Sequence, residues 1–308
     1  MLTINLLLFI LSITVILVCS HFFVHYACLL GKHLNWGDTL VGVLILGVST
    51  SIPEIMISLY SHLSDHEGLF LGNILGSNIA NSSLILGIAL LCSHKAILPF
   101  SDYLKPYLYM MIISVLLVIM IALQAITFLY AAILVVLSII GLYKKSHTSH
   151  QKKPESERSK VILVGYIVII VFLVGLIFAG AQFTVNIGLK IADIIRLPES
   201  AFGALFIAVA TSLPEIAVAA MAAMQKKIEL VFSTVLGSNI ANIGFAIGLS
   251  ALIKPIMMTA YDILPMAIVM LAASALIAVW MKTNAHWHVV KGILLLLLYL
   301  AFILWIIR

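Results

Sequence analysis

An apolar run from Leu40 to Leu59 is broken in its middle by Pro53 and Glu54. Both residues are costly inside a membrane helix. A charged side chain at the bilayer centre costs about 3 kcal/mol on insertion scales. Proline removes the hydrogen bond to the carbonyl four residues back, that of Ser49, and clashes with it. A backbone group opened at that depth must be satisfied by protein, water or an ion. Thr50 and Ser51 place two hydroxyls one turn before Glu54, so the stretch gathers hard oxygen donors suited to a hard cation.

The stretch occurs twice. Gly47-Val48-Ser49-Thr50-Ser51-Ile52-Pro53-Glu54 is matched by Ala208-Val209-Ala210-Thr211-Ser212-Leu213-Pro214-Glu215, 161 residues later. At the same offset Gly42 matches Gly203, Gly76-Ser77-Asn78-Ile79-Ala80-Asn81 matches Gly237-Ser238-Asn239-Ile240-Ala241-Asn242, and Gly87 matches Gly248. The chain is 63% hydrophobic and 9% charged, outside the soluble globular range. Its runs are too long, and alternate too little, for a transmembrane β-barrel. The expected fold class is therefore an all-α polytopic membrane protein. Ten spans are expected near 3–30, 39–61, 69–92, 104–122, 126–143, 161–188, 199–224, 229–252, 262–281 and 287–307. They divide into a first five-span repeat (1–143), a polar connector (144–160) and a second five-span repeat (161–308). An odd number of spans per half inverts one half relative to the other, an arrangement found in transporters.

Charge orients this layout. With the connector in the cytoplasm, Lys144, Lys145, Lys152, Lys153, Arg158 and Lys160 lie inside, as do Lys32, Lys95, Lys105, Lys226, Lys227, Lys282 and Lys291. Only Lys190, Arg196, Lys254 and Arg308 fall outside, a strong positive-inside bias that places both termini outside. The basic excess thus reads as cytoplasmic loops and not as a nucleic-acid surface. Met1 to Ser20 lacks a basic leader and its apolar run continues to Leu30, so it reads as a first span. Cys19, Cys28 and Cys92 fit no metal spacing or disulfide framework and read as small apolar residues.

Two motifs carry the chemistry. One is Thr-Ser-x-Pro-Glu, with Thr50, Ser51, Pro53 and Glu54, then Thr211, Ser212, Pro214 and Glu215. The other is Gly-Ser-Asn-x-x-Asn, in which Ser77 and Asn81, and Ser238 and Asn242, share a helix face at a spacing of four. Taken singly, serine and asparagine in a span serve interhelical hydrogen bonding. A lone buried glutamate could be a protonated donor. Recurrence of the whole set in an inverted half argues for a site.

These duplicated motifs resemble the α-repeats of the cation/Ca2+ antiporter superfamily, in its prokaryotic sodium/calcium exchanger branch. The resemblance spans essentially the whole chain. It implies a secondary antiporter with four ion sites at the midplane, between the second, third, seventh and eighth spans. Glu54 and Glu215 would be the central ligands. Thr50, Ser51 and Ser77 would serve the cytoplasmic side with the carbonyl of Gly47. Thr211, Ser212 and Ser238 would serve the outer side with the carbonyl of Ala208, and Asn81 and Asn242 would face the centre. Sliding of spans one and six would expose the site to each side in turn. The chain departs from the family in one respect. Many calcium-transporting members carry aspartate at the position of Asn81 or Asn242, and this chain has asparagine at both. Two carboxylates balance one Ca2+ or two Na+, and a third Na+ would leave the site positive.

The implied substrates are Ca2+ and Na+, with H+ as an alternative counter-ion, no cofactor, and the lipid bilayer as the surroundings; no protein partner is indicated. An intramembrane enzyme using Glu54 and Glu215 as an acid/base pair, and a channel, rank below the antiporter. No nucleotide-binding, zinc or Ser-His arrangement accompanies the glutamates. His21 and His25 read as packing or interfacial residues, and His62, Asp65, His66 and Glu67 as a solvated outer loop. His147 and His150 read as connector residues. Trp36, Trp280, Trp287 and Trp305 read as interfacial anchors.

Overall fold

In a bilayer each backbone donor and acceptor must be paired within its own segment, so long apolar runs become helices. The computed structural model describes residues 1–34, 50–92, 100–145, 160–225, 228–257, 260–281 and 288–308. Its helices are α1 (Leu2–His33), α2 (Ile52–Leu63), α3 (Glu67–Cys92), α4 (Phe100–Ala122), α5 (Phe128–Lys145) and α6 (Lys160–Ile195). There follow α7 (Glu199–Thr211), α8 (Leu213–Met224), α9 (228–253), α10 (Ala260–Met281) and α11 (His288–Ile306).

Helix is present in each of the ten expected windows. Among the described residues six helices are long and apolar enough to cross a membrane, or seven if the bent pair α7–α8 is one span. The apolar parts of α5 (Phe128–Leu142) and α10 (Ile263–Ile277) are shorter, and α2 has 12 residues. The run that precedes α2, residues 35–49, lies outside the described residues, as do Gly47, Trp36 and Trp287. Of the connector, Lys144, Lys145 and Lys160 are helical. Residues 146–159, with His147 and His150, are outside the description.

Burial separates a centre from a periphery. In α3 and α9, 83% of the most apolar window is buried, against 11% in α6. One core cluster joins α3 and α9 with α4, α5, α10 and α11, through Ile74, Ile79, Met110, Leu134, Leu236, Met270 and Leu295. A second runs between α1 and α6, which lie along each other, through Ile13, Ile16, Ile177 and Val185. Thr184 Oγ1 donates to Ser12 Oγ at 2.9 Å across this pair. The other faces of α1 and α6 expose Leu7, Ile10, Val171, Phe172 and Phe183, an apolar surface suited to lipid and not to water. His21 and His25 are also exposed on α1.

Glycine sets the closest crossings. A Cβ on Gly72 would meet Ser200 O at 2.2 Å, and one on Gly76 would meet Ala204 Cα at 2.5 Å, so α3 and α7 touch backbone to backbone. A crossed pair of contacts joins the halves. Gly87 on α3 packs against Gly292 and Leu296 on α11, while Gly248 on α9 packs against Ala131 and Val135 on α5. The two contacts are equivalent by the repeat, since Gly87 and Gly248, Ala131 and Gly292, and Val135 and Leu296 each stand 161 residues apart. The sequence did not announce a short antiparallel pairing of Ala125–Ile126 with Ile256–Met257, which ties the start of α5 to the chain after α9.

Candidate functional site

Each Thr-Ser-x-Pro-Glu stretch opens a helix. Ser51 (φ −89°, ψ 4°) and Ser212 (φ −82°, ψ 9°) are not helical, and α2 and α8 begin at the next residue. At the second break α7 and α8 meet at 49°. Pro53 and Pro214 therefore sit in the first turn of a new helix, where the missing N–H would have had no intrahelical partner. At Pro214 the expected clash inside a continuous helix does not arise. The new helices bond normally: Ile55 N–H donates to Ser51 O at 2.9 Å and Ile216 N–H to Ser212 O at 3.0 Å. Glu54 and Glu215 fall in these first turns, where the positive end of the helix dipole favours a carboxylate.

The hydroxyls cross between the halves. Ser212 Oγ donates to Glu54 Oε1 at 3.1 Å, and Ser238 Oγ approaches Glu215 Oε1 at 3.4 Å and Thr50 Oγ1 at 3.0 Å. Thr50, which the resemblance groups with Ser77, is thus in contact with Ser238 of the other half. The Thr211 hydroxyl donates to its own helix, at Ile207 O (3.0 Å) and Ala208 O (3.2 Å). The Ala208 carbonyl also accepts from Ser212 N–H at 3.0 Å, so it is engaged within the chain.

Twelve buried side-chain oxygens among the described residues lack a hydrogen-bond partner, and six of them lie on the motif residues. The six are Glu54 Oε2, Glu215 Oε2, Ser51 Oγ, Ser77 Oγ, Asn81 Oδ1 and Asn242 Oδ1. Their residues are at most 1% exposed. A buried polar atom left unpaired costs about 1–3 kcal/mol, and a charged one more. Six such atoms on the residues singled out by the repeat form a donor set of oxygen alone, two of them anionic. That chemistry fits hard cations. Among the described residues no group of three or more His, Cys, Asp or Glu could hold a metal, so any ion here leans on neutral oxygens.

Several features were not singled out in the sequence. Both motif asparagines open a π-helical segment, Asn81–Ile85 in α3 and Asn242–Ile247 in α9, and a third such segment is Gly203–Ile207 in α7. π segments often mark functional positions. Asn78 and Asn239 receive the amides of Asn242 and Asn81, at 2.9 and 3.0 Å. The repeat contained both of them as the third letter of Gly-Ser-Asn, and that was the available signal. Asn73 Nδ2 donates to Ser58 Oγ at 2.9 Å and reaches Glu54 O at 3.4 Å.

The turn at 62–67 is not uniformly solvated, as had been expected. His62 is fully buried. Its Nε2–H donates to Lys254 O at 2.8 Å and its Nδ1 meets Glu67 Oε1 at 2.8 Å. Asp65 is exposed and paired with Lys254, and His66 meets Glu199 at 3.0 Å. The Lys254 ammonium holds the Asp65 carboxyl below its usual range, and Asp65 raises Lys254 in turn. Three turns, at 62–67, 199 and 254, thus meet at one end of the molecule.

A family model described as sodium/calcium exchanger protein matches residues 4–145 and 164–308, one stretch on either side of the connector. The chain is 27% identical to a sodium/calcium exchanger, MaX1, of Methanosarcina acetivorans, over 98% of each chain. It is 25% identical to a putative antiporter, CaxA, of Alkalimonas amylolytica, over 76% of each. Among solved structures it resembles the sodium-calcium exchanger NCX_Mj soaked with Na+ and Sr2+, with a TM-score of 0.64, 26% identity and 99% of each chain covered. The same protein soaked with Na+ and Ca2+ gives the same three values.

Proposed function

Because this chain belongs to the sodium/calcium exchanger protein family, an antiporter family of the membrane, we propose that it exchanges Ca2+ for Na+ by alternating access through one central site. In this reading ten spans form two inverted five-span repeats, divided at the connector. The termini are outside and the connector is cytoplasmic. The central ligands are Glu54 and Glu215, with oxygens from Thr50, Ser51, Ser77, Asn81, Thr211, Ser212, Ser238 and Asn242. Gly47 and Ala208 contribute carbonyls.

One observation carries the reading. Six buried oxygens without partners, two of them carboxylate, lie on residues that the repeat places at equal offset in the two halves. The double match of the family model supports the two-repeat division. Helices α1 and α6 lie along each other in a second cluster, distinct from the larger core, that also takes in Ile57 of α2, Leu69 of α3 and Phe202 of α7, a packing that supports a pair able to slide on those helices.

The mechanism follows from charge. Two carboxylates attract one Ca2+ or two Na+, and the two loads compete because they need the same oxygens. Binding of either neutralises the buried charge and lets the loaded site pass the barrier between its two openings. The deciding experiment is Ca2+ uptake into proteoliposomes under an imposed Na+ gradient and, separately, an H+ gradient. Uptake driven by Na+ supports the reading. Uptake driven by H+ alone assigns the proton as counter-ion, and flux that dissipates without coupling excludes an antiporter. A cysteine within 146–159 labelled by impermeant reagents from the outer face would invert the orientation.

A further inference from the structure

We infer that Asn78 and Asn239 are positioning residues that turn the amide oxygens of Asn242 and Asn81 toward the transported cation. The inference rests on the reading that these two amides face the ion. A primary amide has two unlike ends: its oxygen attracts a cation and its NH2 repels one. An aspartate at the same place would offer oxygen at both ends, so only the asparagine needs its rotation fixed.

The structure supplies a chain of hydrogen bonds that fixes it. Asn242 Nδ2 donates to Asn78 Oδ1 at 2.9 Å, and Asn81 Nδ2 donates to Asn239 Oδ1 at 3.0 Å. Each bond joins opposite halves. With the NH2 ends held in this way, Asn242 Oδ1 and Asn81 Oδ1 are left buried and without partners.

The receiving amides are themselves oriented. Asn78 Nδ2 faces the Met270 sulfur of α10 at 3.6 Å, and Asn239 Nδ2 faces the Met110 sulfur of α4 at 3.8 Å. A thioether accepts a hydrogen bond and has nothing to donate, so each sulfur selects the NH2 end of the amide beside it. Asn239 Nδ2 also donates to Ser82 Oγ at 2.8 Å. The direction thus runs from sulfur to first amide to second amide to ion, once from each side. All four asparagines are 1% exposed, so water does not supply the missing partners from bulk.

A double-mutant cycle tests this, reading half-saturating Ca2+ and maximal rate in proteoliposomes and the Ca2+-induced rise in melting temperature of the purified protein. Asn78→Ala is expected to raise half-saturating Ca2+ about tenfold, the worth of one lost hydrogen bond, with a smaller change in maximal rate. In the Asn242→Asp background, where either end of the side chain is oxygen, the same Asn78→Ala change is expected to cost less than about threefold. Equal costs in both backgrounds would show that Asn78 only packs, and would overturn the inference. Asn239→Ala with Asn81→Asp repeats the cycle from the other half. If Asn78→Ala does not fold, Met270→Leu keeps the volume and removes the acceptor. A rise of about threefold then supports the inference, and no change overturns it. Asn242→Ala separates this inference from the reading beneath it. If that variant folds and its Ca2+ dependence is unaltered, the amide does not face the ion and the reading itself fails there. If it shifts the dependence and Asn78→Ala does not, only the positioning role fails.

Discussion

Helices α2 and α8 begin alike and end differently. Both begin after a serine, place proline in the first turn, and bury a glutamate there. Beyond the glutamate, α2 carries Ser58, Ser61 and His62, all fully buried, where α8 carries Ala219, Ala222 and Ala223. The partner helices differ in the same way. Asn73 on α3 ties Ser58 Oγ and the Glu54 carbonyl, whereas its counterpart Thr234 on α9 turns its hydroxyl back to Leu230 O. What the halves share is the oxygen set of the site. What they do not share is the packing behind it: polar in the first half and small and apolar in the second. Pseudo-symmetry is therefore kept where the two halves must present equivalent ligands, and relaxed within one turn of it.

The largest effect is expected at the shared part. Glu54→Gln or Glu215→Gln removes half of the inferred site charge, and a divalent ion loses more than a monovalent one because Coulomb energy scales with ionic charge. Ca2+ uptake should fall at least about tenfold in each variant, the scale set by removing one of two charges from a buried divalent ion. Uptake retained in one variant and lost in the other would break the equivalence of the halves, and wild-type uptake in both would remove the glutamates from the site.

Exchanging the unshared residues sharpens the comparison. Gly72 corresponds to Ser233. A side chain at Gly72 meets the Ser200 backbone at 2.2 Å, so Gly72→Ser should lower stability by about 1–3 kcal/mol. Ser233→Gly introduces no such clash and should cost less than Gly72→Ser. Thermal melting of the purified protein reads both, and equal costs would mean that the two crossings are alike.

Asn73→Thr, which gives the first half the second half's residue, should cost about 1–3 kcal/mol by leaving buried Ser58 unpaired. The reverse change, Thr234→Asn, should stay within about 0.5 kcal/mol. Paired melts would show whether polar support is confined to the Glu54 side.

The smallest effect is expected at the exposed ion pair between Asp65 of the first half and Lys254 of the second. Asp65 is lowered by Lys254, so its contribution is present above the unfolded carboxyl value of about 4 and is lost as pH falls through the folded value. Lys254 is raised, so its contribution is present below about 10.5 and is lost as pH rises through its folded value. Both are exposed and screened. Asp65→Asn should therefore leave the melting temperature unchanged near neutrality, and a clear loss confined to pH 5–9 would show that this pair matters more than its exposure implies.

The repeat made most of this legible. A motif recurring 161 residues on, in a chain this apolar, pointed to the helices, to Glu54 and Glu215, and to the hydroxyls around them. The proline marked a broken span, which the second half shows, but a linear pattern does not reveal that the break falls at the serine and that the proline opens the next helix. The crossed asparagine pairs were hidden for a related reason. Asn78 meets Asn242 only once α3 and α9 are set side by side, and helix register between distant segments leaves no periodic trace. His62 looked like a loop residue because its neighbours Asp65 and His66 are polar; its burial comes from Phe70 and from the Lys254 carbonyl, far along the chain.

The π segments at Asn81 and Asn242 have a consequence for chain length. A π turn holds one residue more than an α turn, so each segment is a residue that the helix could lose and become more regular. Losing it would rotate everything downstream by about 100°, the angle of one residue in an α-helix. Gly87 would then swing away from Gly292, and Gly248 away from Ala131 and Val135. A one-residue deletion here repairs the local geometry and unseats the far half of the helix. The two segments act as phase shifters: they set the ligand-bearing face and the lipid-side packing face of the same rod to independent angles.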